Sequence, residues 1–195
     1  MSDERDLIRR SRQGDETAFE QLVLLKRDRA FRIARHMVGN DAEAQDIAQQ
    51  AFIRLWSALP NYDQSAPFDP WFFTIVINLA IDHSRRARRS PLVALPDEAD
   101  QQMGASPSME VPGAEARLMT DELRRIFDTI SGELAPAQRA VFTLRAIEGM
   151  PTEEVARIME IRPSTVRNHL HQARRVLQGA LRRRFPEYAR GRRKP

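Results

Sequence analysis

Residues 150–175 read MPTEEVARIMEIRPSTVRNHLHQARR, and their pattern is that of a helix-turn-helix. Val155, Ile158 and Met159 form one apolar stripe. Val166, Leu170, Ala173 and Leu177 form another at the i, i+4, i+7, i+11 spacing of an amphipathic helix. At about 3.6 residues per turn the second helix turns Ser164, Asn168, His171 and Arg175 away from its stripe, with Arg167, Gln172 and Arg174 at the margins. Arg, Asn and Gln carry the paired donors and acceptors that match base edges in a major groove. Pro163 suits a first helical position, where its missing N–H has no partner to lose. The turn carries Glu160 where glycine is easiest, and the first helix follows Pro151 in place of a serine cap. By itself the pattern also fits a helical hairpin with a solvated basic face.

Charge extends the reading. From Arg162 to Lys194 the only acid is Glu187, although the net charge of the 195 residues is just +4. The carboxyl end is suited to a polyanion. Lys26 and Lys194 are the only lysines, and arginine's planar fork fits phosphate and guanine better than an ammonium does. The run Arg190 to Lys194 reads as a solvated tail with loose phosphate affinity. There is no cysteine, which excludes disulfides and thiolate chemistry. The scattered histidines His36, His83, His169 and His171 offer no ligand spacing, so no metal is expected. No apolar run reaches the roughly 20 residues of a membrane span and the start is charged, so a soluble cytoplasmic protein is expected. No Gly-rich phosphate loop, nucleophile with a base, or carboxylate pair with ligand spacing is present, which points away from an enzyme and from any cofactor.

Helical periodicity recurs at Asp6 to Arg12, Glu16 to Val38, Asp41 to Leu59 and Pro70 to Arg89, with Gly14 and Gly39 at the first joints. It resumes at Ala116 to Ser131, Pro136 to Ile147, Thr152 to Met159 and Pro163 to Arg184. Nothing alternates as strand. The stretch Ser90 to Gly113, rich in Pro, Ser, Ala and acids, is a linker. The expected fold is all-α: two small helical domains joined by a flexible linker.

Within the first half, Ile47, Ala48, Ala51, Phe52, Leu55, Trp56 and Leu59 make a wide apolar stripe. Phe19, Leu22, Val23, Ile33, Ala34 and Met37 face it from the preceding helix, and Asp46, Gln49 and Gln50 lie beside it. The next helix opens on Trp71, Phe72 and Phe73, passes Asn78 and Asp82, and closes on Arg85, Arg86, Arg88 and Arg89. With the loop Asn61, Tyr62, Asp63, Gln64, Ser65 and Phe68 before it, this set suits single-stranded nucleic acid, rings stacking on bases and guanidinium groups holding phosphates. A Trp-Phe-Phe run also serves as core, and no more than two of its rings are assigned a nucleic-acid role.

Together the halves resemble bacterial RNA polymerase sigma factors of the extracytoplasmic function (ECF) group. The first half carries Glu43-Ala44-Gln45-Asp46-Ile47-Ala48-Gln49-Gln50-Ala51-Phe52, then Phe68, Trp71, Asn78, Ile81-Asp82 and Arg85-Arg86 at the family's spacing. The second carries Arg139-Ala140-Val141-Phe142, Glu148-Gly149-Met150, Glu154-Val155-Ala156, Ser164-Thr165-Val166 and Ala173-Arg174.

The resemblance implies a specificity subunit that binds core RNA polymerase and directs it to promoter DNA. It divides the chain into a polymerase-binding, promoter-melting domain (1–90), a linker (91–115) threading the polymerase, a helix-turn-helix domain (116–186) and a basic tail (187–195). Asp46, Gln49 and Gln50 would contact polymerase. Asn61, Tyr62, Phe68, Trp71, Asn78, Arg85 and Arg86 would hold the melted strand. Ser164, Thr165, Arg167, Asn168, His171, Gln172, Arg174 and Arg175 would read the upstream duplex, usefully only while polymerase holds the other domain in place. A cognate anti-sigma factor is a further implied partner.

Some residues depart from the family pattern. Gln50 stands where Glu is usual and Gln45 replaces a common acid, making the polymerase-facing surface less negative. Ile77 stands where Arg is common, removing a phosphate contact. His171 and Gln172 lie where relatives vary, so no relative's upstream sequence is inherited. Without the resemblance, an ordinary helix-turn-helix regulator or a helical adaptor would account for the same patterns.

Overall fold

The computed structural model describes residues 3–89 and 114–189. The first segment holds α1 (Glu4–Arg12), α2 (Glu16–Val38), α3 (Asp41–Ala58), which tightens into a 3-10 turn at Leu59–Asn61, and α4 (Phe68–Arg89). The second holds α5 (Ala114–Ser131), α6 (Pro136–Phe142), a π-helical turn at Thr143–Ile147, α7 (Thr152–Ile158), α8 (Pro163–Arg184) and α9 (Pro186–Ala189). Residues 114 and 115 of the expected linker are thus helical, as are 187–189 of the expected tail. The rest of both, with the Arg190 to Lys194 run, lies outside the described residues.

Local chemistry sets the joints. Asp15 accepts the Ala18 N–H at 3.0 Å and caps α2, and Asn40 accepts the Glu43 N–H at 3.1 Å and caps α3. The Asp15 carboxyl is held below its usual range by that N–H and then by Arg10. Helix α1 ends in a Schellman pair: Asp15 N–H reaches the Arg10 carbonyl, Gly14 N–H reaches that of Ser11, and Gly14 has φ +89°. Helix α7 ends identically, Ile161 N–H on Ala156 and Glu160 N–H on Arg157, but the left-handed residue is Glu160, at φ +53°. The helix-turn-helix turn is therefore made without glycine, at a steric cost.

The first half buries the expected surfaces. Leu22, Ile33, Ala34 and Met37 of α2 meet Ile47, Ala51, Phe52 and Leu55 of α3, and Phe72, Phe73 and Val76 of α4 complete the layer. Phe52 and Phe72 lie 5.1 Å apart, Phe19 and Trp56 4.7 Å. Truncating a ring such as Phe72, fully buried, would cost about 3–5 kcal/mol. Lys26 is also buried; its ammonium lies 2.6 Å from Asp69 and 2.9 Å from Glu4, tying α1 and α4 to α2.

The halves share one apolar cluster, since Val141, Leu144, Met150, Val155, Ile158 and Val166 are continuous with the first-half core. Helix α4 packs on α7 and α6, and Thr74 donates its hydroxyl to the Ile158 carbonyl at 3.2 Å. A second cluster under α5, α8 and α9 contains Ile126, Ile130, Leu134, Ala173, Leu177 and Ala180.

Candidate nucleic-acid interface

On α8 the apolar stripe is turned inward: Val166, Ala173 and Leu177 are buried and Leu170 is half-buried. Ser164, Arg167, Asn168, His171, Gln172, Arg174 and Arg175 are exposed, and Thr165 is half-exposed. Arg167, Arg174 and Arg175 make no ion pair among the described residues, which leaves their forks open to an anion or a base edge. Gln172 is steadied by the Gln138 side chain, which donates to it at 3.0 Å from α6.

The single-strand set is divided by the fold. Tyr62 is 4% exposed, its hydroxyl donating to the Ala66 carbonyl at 2.5 Å and its ring packed on Trp71 (4.5 Å) and Phe68 (5.5 Å). Phe68 is 7% exposed and stacks on Phe72 at 6.1 Å. In this conformation neither ring is an open stacking platform, contrary to the expectation from sequence. Packing the loop's apolar area against Trp71 and Phe72 is favourable, and the phenol's one donor finds a carbonyl without water. Phe72 and Phe73 are core residues as well. Of these rings, only that of Trp71 is partly exposed.

Asn61, Asn78, Arg85 and Arg86 are exposed. At about 100° per residue, Trp71, Asn78 and Arg85 share one line along α4. Arg86 is turned roughly a quarter of the way round the helix from that line, lining a cleft between α3 and α4 with Glu43, Asp46, Gln50 and Arg54. Arg85 also approaches Asp82 at 3.9 Å. The loop ahead of α4 is held by Asp63, which accepts from the Ser65 N–H at 2.9 Å and hydroxyl at 2.7 Å; these bonds hold its carboxyl below the usual range.

Asp46, Gln49 and Gln50 are exposed on α3. Ile53, unmarked by the sequence reading, extends that face at i+7 from Asp46 and is 60% exposed. An isoleucine breaking the polar side of the stripe was the available signal. Ile77 is 1% exposed, so the residue that departs from the family's arginine faces packed protein and not a phosphate. Among the described residues no helix is long and apolar enough to cross a membrane.

Residues 22–90 match the sigma-70 region 2 family and residues 124–177 the sigma-70 region 4 family. The chain is 33% identical over 179 residues to the ECF RNA polymerase sigma factor SigE of Mycolicibacterium smegmatis, spanning 90% of this chain and 67% of that protein. It is 31% identical over 180 residues to the RNA polymerase sigma-H factor of Pseudomonas aeruginosa, spanning 91% and 93%. Its fold is similar to that of CnrH, solved in complex with the cytosolic domain of CnrY, with a TM-score of 0.67 and 26% identity over 93% of this chain and 98% of that one. With both conserved regions in order on one helical chain, and with relatives of this similarity along nearly its whole length, the protein belongs to the ECF group of RNA polymerase sigma factors.

Proposed function

We propose that this sigma factor, which directs RNA polymerase to promoters, divides promoter recognition between α4 and α8. Helix α8 reads the upstream element as duplex through Ser164, Arg167, Asn168, His171, Arg174 and Arg175, with Thr165 and Gln172 at the rim. The line Trp71, Asn78 and Arg85, with Asn61 ahead of it, holds bases of the downstream element once they unpair. Helix α3 presents Asp46, Gln49, Gln50 and Ile53 to core polymerase. The observation carrying this reading is the presence, in one chain, of an exposed helix face of Ser, Arg, Asn and His side chains and a separate helix whose aromatic, amide and guanidinium groups share a line.

The two chemistries differ. A rigid helix with polar side chains suits an intact groove, whereas unpaired bases need a ring to stack on and cations to hold phosphates. Extruding a base costs a few kcal/mol, so a surface that binds the unpaired form shifts the duplex toward opening. No nucleotide hydrolysis is required. The likeness to CnrH, solved with the cytosolic domain of CnrY, supports an anti-sigma protein as a further partner of this chain.

The test adds the protein to core polymerase stripped of other specificity subunits, on genomic DNA, and maps transcript starts. New starts sharing an upstream and a downstream element are expected; no new starts would overturn the reading.

A further inference from the structure

We propose that Gln138 of α6 is a positioning residue for promoter recognition: it fixes which way round the Gln172 side-chain amide stands on α8, so that Gln172 accepts a keto base, guanine or thymine, and rejects an amino base. The base-reading half rests on the function proposed above.

The polarity starts from a backbone group that can only donate. Ala135 is the N-cap of α6 and offers no side-chain bond of its own; its N–H donates to Gln138 Oε1 at 3.3 Å. The oxygen of the Gln138 amide must therefore be the atom facing Ala135, which leaves Nε2 as the atom facing α8. That nitrogen donates to Gln172 Oε1 at 3.0 Å. Turning over either amide alone would set two donors or two acceptors against each other. Gln172 is exposed, and its own Nε2 has no partner among the described residues. Helix α8 thus shows a donor at this position and keeps the acceptor turned toward α6.

The relay stands on packed elements. Leu134, just ahead of Ala135, and Ala173, just after Gln172, are fully buried in one cluster, and Ala140 and Val141 of α6 are fully buried as well. Both glutamines therefore project from backbone that cannot shift independently. On the helical wheel Gln172 lies about 40° from Asn168 and about 20° from Thr165, so its free N–H groups point out among the side chains proposed to read the upstream duplex.

In a major groove, guanine O6 and thymine O4 are acceptors, whereas adenine N6 and cytosine N4 carry donors. A glutamine free to turn offers one donor and one acceptor and pairs bidentately with adenine. With its oxygen held by Gln138, Gln172 meets the amino group of adenine or cytosine donor to donor. It meets a keto oxygen with a hydrogen bond.

Two substitutions at 138 have opposite consequences. In Gln138→Glu one carboxylate oxygen still accepts the Ala135 N–H and keeps α6 capped, while the other can only accept from Gln172. The Gln172 amide then turns over and shows its oxygen. Gln138→Met keeps the length of the side chain and releases Gln172 to turn either way. Core polymerase carrying the full-length protein is used to select from promoters with a randomised upstream element, and Gln172→Ala marks the position that Gln172 reads by levelling its preference. At that position the wild type should favour guanine or thymine by about fivefold or more. Gln138→Glu should reverse the preference to adenine or cytosine, and Gln138→Met should admit adenine. A preference unchanged in both variants, no position levelled by Gln172→Ala, or the even loss of affinity that a phosphate contact would give, would overturn base reading by Gln172.

The polarity is measured separately in the free protein from the side-chain amide protons in nuclear magnetic resonance, since a hydrogen-bonded proton shifts less with temperature than a solvated one. The bonded amide should be that of Gln138 in the wild type and that of Gln172 in Gln138→Glu; a solvated Gln138 amide in the wild type would overturn the relay. If the wild type selects no upstream element at all, the proposed reading of α8 falls and base reading with it, while the amide protons still decide the polarity.

Discussion

Arg35 of α2 and Asp128 of α5 form a two-pronged ion pair, at 3.2 and 2.9 Å, with side chains 19% and 22% exposed. The guanidinium also reaches Asp41, and desolvation of Arg35 is outweighed by these carboxylates, which raise its pKa. Charge-assisted bonds in this fork are stronger than a solvated surface pair. Asp128→Asn should therefore cost about 1–2 kcal/mol at the domain contact. Calorimetry should show the single transition broaden or split; an unchanged profile would place the pair's worth near zero.

His36 makes the same contact sensitive to acid. Burial holds its pKa below the usual 6.5, against the pull of Asp128 and Glu148 and with Arg35 and Arg124 opposing protonation. Its ring meets Phe127 edge-on at 5.6 Å. Because the unfolded chain takes the proton first, the contribution is complete above pH 6.5 and is lost as the pH falls through the lower folded value. Asp15 and Asp63, lowered from 3.8, lose theirs only in more acid solution. Urea midpoints should fall between pH 7.5 and 5, and His36→Phe should remove much of that fall; an equal fall would assign it elsewhere.

The turn of the helix-turn-helix stores strain at Glu160, φ +53°. Gly14 occupies the equivalent place after α1 at φ +89°. Glu160→Gly should stabilise the protein by about 0.5–1 kcal/mol, the relief exceeding the entropy gained by the unfolded chain. Chemical denaturation measures it, and destabilisation would show that the Glu160 side chain contributes more than its backbone costs.

Thr143 opens the π-helical turn, fully buried, with its hydroxyl unpartnered. Thr143→Val keeps the β-branched shape and removes the unsatisfied group, so a gain of about 1 kcal/mol is expected. A raised melting temperature with unchanged circular dichroism would agree; a loss would show that the hydroxyl has a partner in solution.

Substitutions on α4 and on α8 separate the proposed DNA surfaces. Trp71→Ala should reduce permanganate reactivity of unpaired promoter thymines while leaving upstream protection intact, whereas wild-type reactivity would remove Trp71 from strand capture. Asn168→Ala or Arg175→Ala should change upstream sequence preference at about 1–3 kcal/mol per lost base contact, and an unaltered binding-site profile would reject the assigned reading face.

Helix positions were legible because each helix carries its own periodicity and most carry their own punctuation. Asp15, Asn40, Pro136 and Pro163 open helices, and Gly14 and Gly39 close them. The π-helical turn was not, since Thr143 to Ile147 continues the apolar pattern of α6 and gives no breaker. Nor was the burial of Tyr62 and Phe68. An aromatic loop beside arginines has the same composition whether its rings face a base or one another, and proximity to Trp71 decides it.

The sequence by itself determined an all-α chain, the outward face of α8 and the family, because these depend on residue spacing within single helices and on motif order. Tertiary structure decided which aromatic side chains remain accessible, that Lys26 is a buried ion-pair node, and that Ile77 lies in a core shared by both halves. It also joined Arg29, Arg32 and Arg35 to Glu148 and Asp128. Such partners are far apart along the chain, and pairing of charges and burial of apolar area at long range leave no periodic mark in the sequence.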